Sequence, residues 1–294
     1  MLFVSGAAAG FGTIAIFGEI ALAIELPLAT LLPIRFAVAA LVVAGLAFVR
    51  GWPFPPSLRD WFATLGLGVL YTVMTLCFFR SLRFLTAGTA TIVLYTYPTF
   101  VVALSTVLLG ETVTARKLVA LCLTTGGVAL VAGTGTVDNA PVGIGLALGA
   151  ALLYAVYTIG SRALSPSLAP RTLMLGVLLG ASGSMVGYGV VDGGFALPTG
   201  AAEVGVVLGI ALVATVIPHL LFYEGVARLE ASRVGLVSTV EPVVTVALGA
   251  ALLGEPLTLF VLGGGVLVLG GVLLVHSDGG SERPTEDAPS GPGE

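Results

Sequence analysis

Glu241 stands immediately before Pro242, inside an apolar run that extends from 233 to 253. An ionisable group at that depth in hydrocarbon costs about 2.5 to 3.5 kcal/mol on insertion scales and turns toward a cavity or a partner. Pro242 removes a backbone N–H and so frees a carbonyl one turn earlier, adding a polar acceptor nearby. The chemistry open to such a carboxyl is recognition of a cargo amine or exchange of a proton; the competing reading is a structural pair with a basic residue or a tyrosine on a neighbouring helix. Arg35 lies about two turns into another apolar run, 28–49, close enough to one end for its long side chain to snorkel. It is suited to holding a cargo carboxylate, or to pairing with Glu19 or Glu25. His219, next to Pro218, carries an imidazole fit for proton exchange near neutral pH, with hydrogen-bonded packing as its alternative. Tyr71, Tyr95, Tyr97, Tyr154 and Tyr157 fall within apolar runs, away from the interfaces where tyrosine collects. Together they would line an amphipathic cavity for apolar or aromatic solutes; singly, each would pack with its hydroxyl satisfied by a neighbour. Thr13 and Thr99 offer further polar contacts.

These residues need a scaffold, and composition selects it. Hydrophobic residues make up 57% of the 294 and charged residues 10%, against about 25% charge in ordinary soluble domains. A helical crossing of a bilayer core needs about 20 apolar residues. The chain offers ten such runs, at 2–22, 28–49, 61–80, 85–109, 115–133, 142–161, 171–191, 203–223, 233–253 and 257–276. Lipid leaves backbone groups no external partner, so the expected fold is an all-α integral membrane protein; unbroken apolar runs rule against the alternation of a barrel. The first run lacks a basic leader and is read as the first crossing, not a cleaved signal. Residues 277–294, rich in Gly, Pro and Ser, read as a disordered acidic tail: Asp278, Glu282, Glu286, Asp287 and Glu294 against Arg283 give it a net −4.

Basic residues set the expected orientation. With the N-terminus inside, the inner connections hold Arg50, Arg59, Arg116, Lys117, Arg162, Arg171, Arg228 and Arg233, and the outer ones Arg80 and Arg83. Both termini are therefore expected in the cytoplasm of a multi-pass cell-membrane protein.

A shift of 144 residues lays the fourth and fifth runs on the ninth and tenth. Pro98 then meets Pro242, the Leu-Gly-Glu ending at Glu111 meets that ending at Glu255, Thr114 meets Thr258, and Gly126-Gly127 meets Gly270-Gly271. Five crossings per unit is an odd number, so the second unit, 142–276, must enter the membrane from the side opposite to the first, 1–135. Inverted repeats are the architecture of alternating access, and helix interruptions at matching places, here Pro98 and Pro242 as kinks, point to a midplane site.

In that order and at those helix positions, Arg35-Phe36, Tyr97-Pro98-Thr99, Glu241-Pro242 and the two Leu-Gly-Glu endings resemble the EamA family of the drug/metabolite transporter superfamily. The resemblance spans residues 1 to about 276. It implies a ten-helix exporter or permease with a central cavity between its halves, whose family members carry amino acids, other metabolites, nucleotide sugars or drugs. The first run departs from the family's usual Trp-Gly, reading Phe11-Gly12 or Phe17-Gly18 instead.

The expected function is therefore secondary transport, exporting small metabolites such as amino acids, with multidrug export or nucleotide-sugar permeation as alternatives. A membrane-embedded enzyme lacks a His-Glu-x-x-His, an aspartate-rich motif or deep aspartates, and no P-loop is present. A passive channel or scramblase is the remaining class. No cofactor, metal or nucleic-acid partner is expected; the partners are a small-molecule substrate and membrane lipid. Cys77 and Cys122 read as packed hydrophobes. Glycine pairs such as Gly6/Gly10 and Gly176/Gly180 have the spacing for close helix contact, and with ten helices in one chain this favours a monomer over a homodimer.

Overall fold

The computed structural model describes residues 2–109, 114–132, 140–226 and 237–278. Every regular element among them is helical: α1 (Leu2–Gly12), α2 (Ile14–Ala23), α3 (Leu28–Arg50), α4 (Leu58–Ser81), α5 (Ala87–Leu94), α6 (Tyr97–Leu109), α7 (Ala115–Ala132), α8 (Ala140–Leu164), α9 (Pro170–Asp192), α10 (Ala201–Ala211), a π-turn (Leu212–Val216), α11 (Ile217–Val226), α12 (Val240–Leu248), a second π-turn (Gly249–Leu253) and α13 (Leu259–Asp278). Eight helical stretches are long and apolar enough to cross a membrane, and two shorter apolar ones, Val240–Leu253 and Leu259–Leu274, follow them. Large apolar side chains such as Leu41, Phe48, Phe62, Val190 and Val266 face outward, each 70% exposed or more. Outside lipid that surface would be costly; the fold is a multi-pass membrane bundle.

Local chemistry places the helix ends. α4 starts at Leu58, earlier than the expected 61, because the Ser57 hydroxyl accepts the Asp60 N–H at 3.1 Å and donates to Asp60 Oδ2 at 2.6 Å. The run expected at 85–109 is two helices, broken at Tyr95-Thr96, three residues before Pro98. The ninth has its turn at Thr239, three residues before Pro242. The eighth is interrupted by the π-turn that ends just before Pro218, whose missing N–H cannot continue the α-helical ladder. The first is broken at Thr13, whose hydroxyl returns to the Gly10 carbonyl at 2.6 Å. There the Gly12 carbonyl accepts a hydrogen bond from Thr245 Oγ1 on α12 at 2.9 Å. Glu111, Arg228, Arg233 and the tail from 279 lie outside the described residues.

Helix pairs interlock through small residues. In the α7–α13 crossing a Cβ on Gly127 would lie 2.7 Å from the Gly264 carbonyl oxygen, and one on Gly271 would lie 2.8 Å from that of Ala120. The shift of 144 residues carries Gly127 to Gly271 and Gly264 back to Ala120. α4 and α9 meet through Gly68 and Gly180, and the hydroxyls of Thr72 and Ser184 hydrogen bond across that seam at 2.6 Å. The buried core runs through Leu31, Leu32, Phe36, Phe79, Met174 and Met185, with an opening beside it.

Candidate functional site

That opening is a cavity of about 200 Å³ lined from the first, second, third, fourth, sixth, eighth and ninth expected crossings. Arg35 enters it from α3. The residue is 1% exposed, and its Nε donates to Thr215 Oγ1 in the first π-turn at 2.8 Å. The guanidinium carbon sits 5.0 Å from the centre of the Phe36 ring and 5.6 Å from that of Phe79, within cation–π range. The expected pairing with Glu19 or Glu25 is not made. Glu19 instead neighbours Glu255, and Glu25 sits in the left-handed corner after α2, at φ 56°.

Glu241 enters from the first turn of α12. Its Oε2 lies 2.9 Å from the Tyr95 hydroxyl, which is also 2.7 Å from the Ser238 carbonyl. One hydroxyl hydrogen cannot fully serve both acceptors. An ionised Glu241 takes it; a protonated Glu241 donates to the Tyr95 oxygen and leaves the tyrosine hydrogen for Ser238. Glu241 therefore has Tyr95 as a hydrogen-bond partner in either protonation state.

Between the two charged groups runs a continuous wall of rings. Tyr95 contacts Tyr97 (5.9 Å between centroids), Tyr97 contacts Tyr154 (4.5 Å), and Tyr154 stacks on Tyr157 (5.9 Å, 15° between planes). Tyr157 contacts Tyr71 (5.3 Å), and Tyr71 meets Phe36 edge-on at 5.8 Å. The wall draws on α4, α5, α6 and α8, and it is possible only because the break at Tyr95-Thr96 turns Tyr95 and Tyr97 toward the same space. Both would otherwise lie about 200° apart around one helix.

His219 lines the cavity as well. Its Nδ1 is 2.7 Å from the Thr215 carbonyl, and since a carbonyl only accepts, that nitrogen carries the proton. The ring meets Phe11 edge-on at 4.9 Å. Thr13 is not among the lining residues; its hydroxyl is spent on the helix break. Thr99 bonds Thr124 at 3.2 Å and is buried away from the cavity. The structure adds lining residues not expected at the site from the sequence: Phe11, Phe78, Phe79, Phe222 and Ser238, together with Thr215 behind Arg35. The Pro218 interruption was the available signal for Thr215; the phenylalanines carried none.

A multi-pass helical bundle with a closed-in, amphipathic central cavity is the build of a membrane permease. The EamA-like transporter family model matches the chain twice, over residues 1–133 and 141–277, and the protein belongs to that family, within the drug/metabolite transporter superfamily. The chain is 28% identical to an uncharacterized transporter of Archaeoglobus fulgidus over 193 residues, 65% of this chain and 68% of that one. It is 26% identical to the uncharacterized transporter YetK of Bacillus subtilis over 253 residues, 82% and 76% of the two chains. A crystal structure at 19% identity shares the fold, with a TM-score of 0.65 over 92% of this chain and 98% of that one. The protein is thus a secondary transporter, not an enzyme.

Proposed function

We propose that the protein exports small metabolites of the amino-acid type from the cytoplasm by alternating access, with the cavity between Arg35 and Glu241 as its cargo site. The observation that carries this is the pair of opposite charges in one cavity that, among the described residues, are not ion-paired with each other: Arg35 is held by Thr215, Glu241 by Tyr95. A zwitterion offers a carboxylate to one and an ammonium to the other, while the ring wall accommodates an apolar side chain.

Ten crossings in two inverted five-helix units, 1–135 and 142–276, fit this mechanism. The duplicated family match and the paired α7–α13 contacts related by the 144-residue shift support the repeat. Interruptions at Tyr95-Thr96 and Thr239, the same distance before Pro98 and Pro242, sit at the cargo site as alternating access requires. The distribution of Lys and Arg supports cytoplasmic termini. The Glu241–Tyr95–Ser238 arrangement suits a proton moving against the cargo.

The test is purified protein in liposomes, with uptake of pooled amino acids and small metabolites followed by mass spectrometry, with and without a proton gradient, beside Glu241→Gln. Saturable movement lost in the variant supports the reading. Vesicles of folded protein that move no member of the panel would overturn it. Drug export is the second reading, favoured by Phe11, Phe78, Phe79 and Phe222 in the lining; it predicts movement of lipophilic compounds without a carboxylate.

A further inference from the structure

The Arg35 guanidinium is a buried cation whose described partners are neutral. Nε is committed to Thr215 Oγ1, the guanidinium carbon lies over the Phe36 and Phe79 rings, and among the described residues no carboxylate pairs with it. The two terminal nitrogens carry four of the five donors of the side chain, and Arg35 lines the cavity. An uncompensated charge buried in a membrane bundle costs several kcal/mol, more than a single hydrogen bond to a threonine returns. A role as a mere tie between α3 and the π-turn would not require a guanidinium.

Thr215 explains how that edge is aimed. In the π-turn its hydroxyl donates to the Ile210 carbonyl five residues back at 2.7 Å, which spends its hydrogen and leaves its lone pairs as the acceptor for Nε. The Thr215 carbonyl in turn holds His219 Nδ1. With Nε fixed and two aromatic rings close by, the terminal nitrogens offer a flat pair of N–H groups that matches the two oxygens of a planar carboxylate.

We propose that Arg35 is the carboxylate anchor of the cargo and that Thr215, through the π-turn, is its positioning residue, so the transporter selects carboxylates over the matching esters and amines. This rests on the cavity being the cargo site. Proteoliposome flux is measured for tyrosine and phenylalanine, their methyl esters, and tyramine and phenethylamine, in wild type, Thr215→Val and Thr215→Ser, with thermal unfolding as the folding control. Wild type is expected to move the free acids and not the esters or amines. Thr215→Val is expected to raise KM for the acids about tenfold with kcat within about twofold, and Thr215→Ser to restore it. Esters or amines moved as well as acids, or a folded Thr215→Val matching wild type, would overturn the proposal. A second measurement stands without flux: modification of Arg35 by phenylglyoxal in detergent, mapped by mass spectrometry, is expected to be slowed severalfold by the free acids and unaffected by the esters. Protection without flux would keep the anchor and defeat the transport reading; flux without protection would defeat the anchor alone.

Discussion

The carboxylate of Glu255 spans the first turn of α5 in the other half of the chain: Oε1 accepts the Ala87 N–H at 2.8 Å and Oε2 the Gly88 N–H at 3.1 Å. These are two of the four amides that open a helix without an internal partner, at the positive end of its dipole. A carboxylate that serves both ties the corner after the second π-turn to the start of α5.

Removing that carboxylate strips both amides of their acceptor in a site where little water replaces it. Glu255→Ala is expected to cost about 3 kcal/mol, two charge-assisted hydrogen bonds at about 1.5 kcal/mol each. Glu255→Gln, which keeps one carbonyl oxygen, is expected to fall between. Thermal unfolding in detergent, run on the three proteins side by side, checks the order.

The α7–α13 crossing gives a prediction with a built-in control. Gly127→Ala drives a methyl into the Gly264 carbonyl, whereas at the neighbouring Gly126 a methyl meets nothing within 4 Å. The first is expected to cost about 1 to 3 kcal/mol and the second nothing measurable. Equal effects in an unfolding assay would mean that the two helices do not cross there.

Tyr95 serves the chemistry more than the packing. Tyr95→Phe keeps the ring in the wall and removes the hydroxyl that Glu241 and Ser238 share. Flux is expected to fall about tenfold with stability changed by no more than about 1.5 kcal/mol. Paired flux and melting measurements separate the two effects.

Orientation is open to direct labelling. In a protein with Cys77 and Cys122 replaced, single cysteines at Ser57 and at Thr199 stand on opposite sides of the bundle, after α3 and after α9 respectively. A membrane-impermeant thiol reagent applied to intact cells is expected to reach position 199 and not position 57.

Much of the scaffold was legible because lipid writes strong patterns: runs of apolar residues separated by polar breaks. Glu241, Arg35 and the five tyrosines were legible for the same reason, since polar atoms stand out against hydrocarbon, and the structure gathers all of them around one cavity. Their partners were not. Thr215 meets Arg35 across 180 residues, and only the extra residue in the π-turn brings its hydroxyl to that side. A threonine in an apolar helix announces no such role, since it ordinarily bonds its own backbone. Thr13 was misread for the complementary reason: its hydroxyl does bond its own backbone, at a helix break that no proline marks. The repeated Leu-Gly-Glu flagged the position of Glu255 without its chemistry, which depends on amides 168 and 167 residues away.

The separation of Arg35 from Glu241 also bears on leak. If the cargo is a zwitterion that bridges the two, it compensates at both ends charges that an empty cavity leaves in a medium of low dielectric. Rearrangement of the loaded carrier is then expected to be faster than that of the empty one, so net efflux and homoexchange, measured in the same proteoliposomes, should run at visibly different rates.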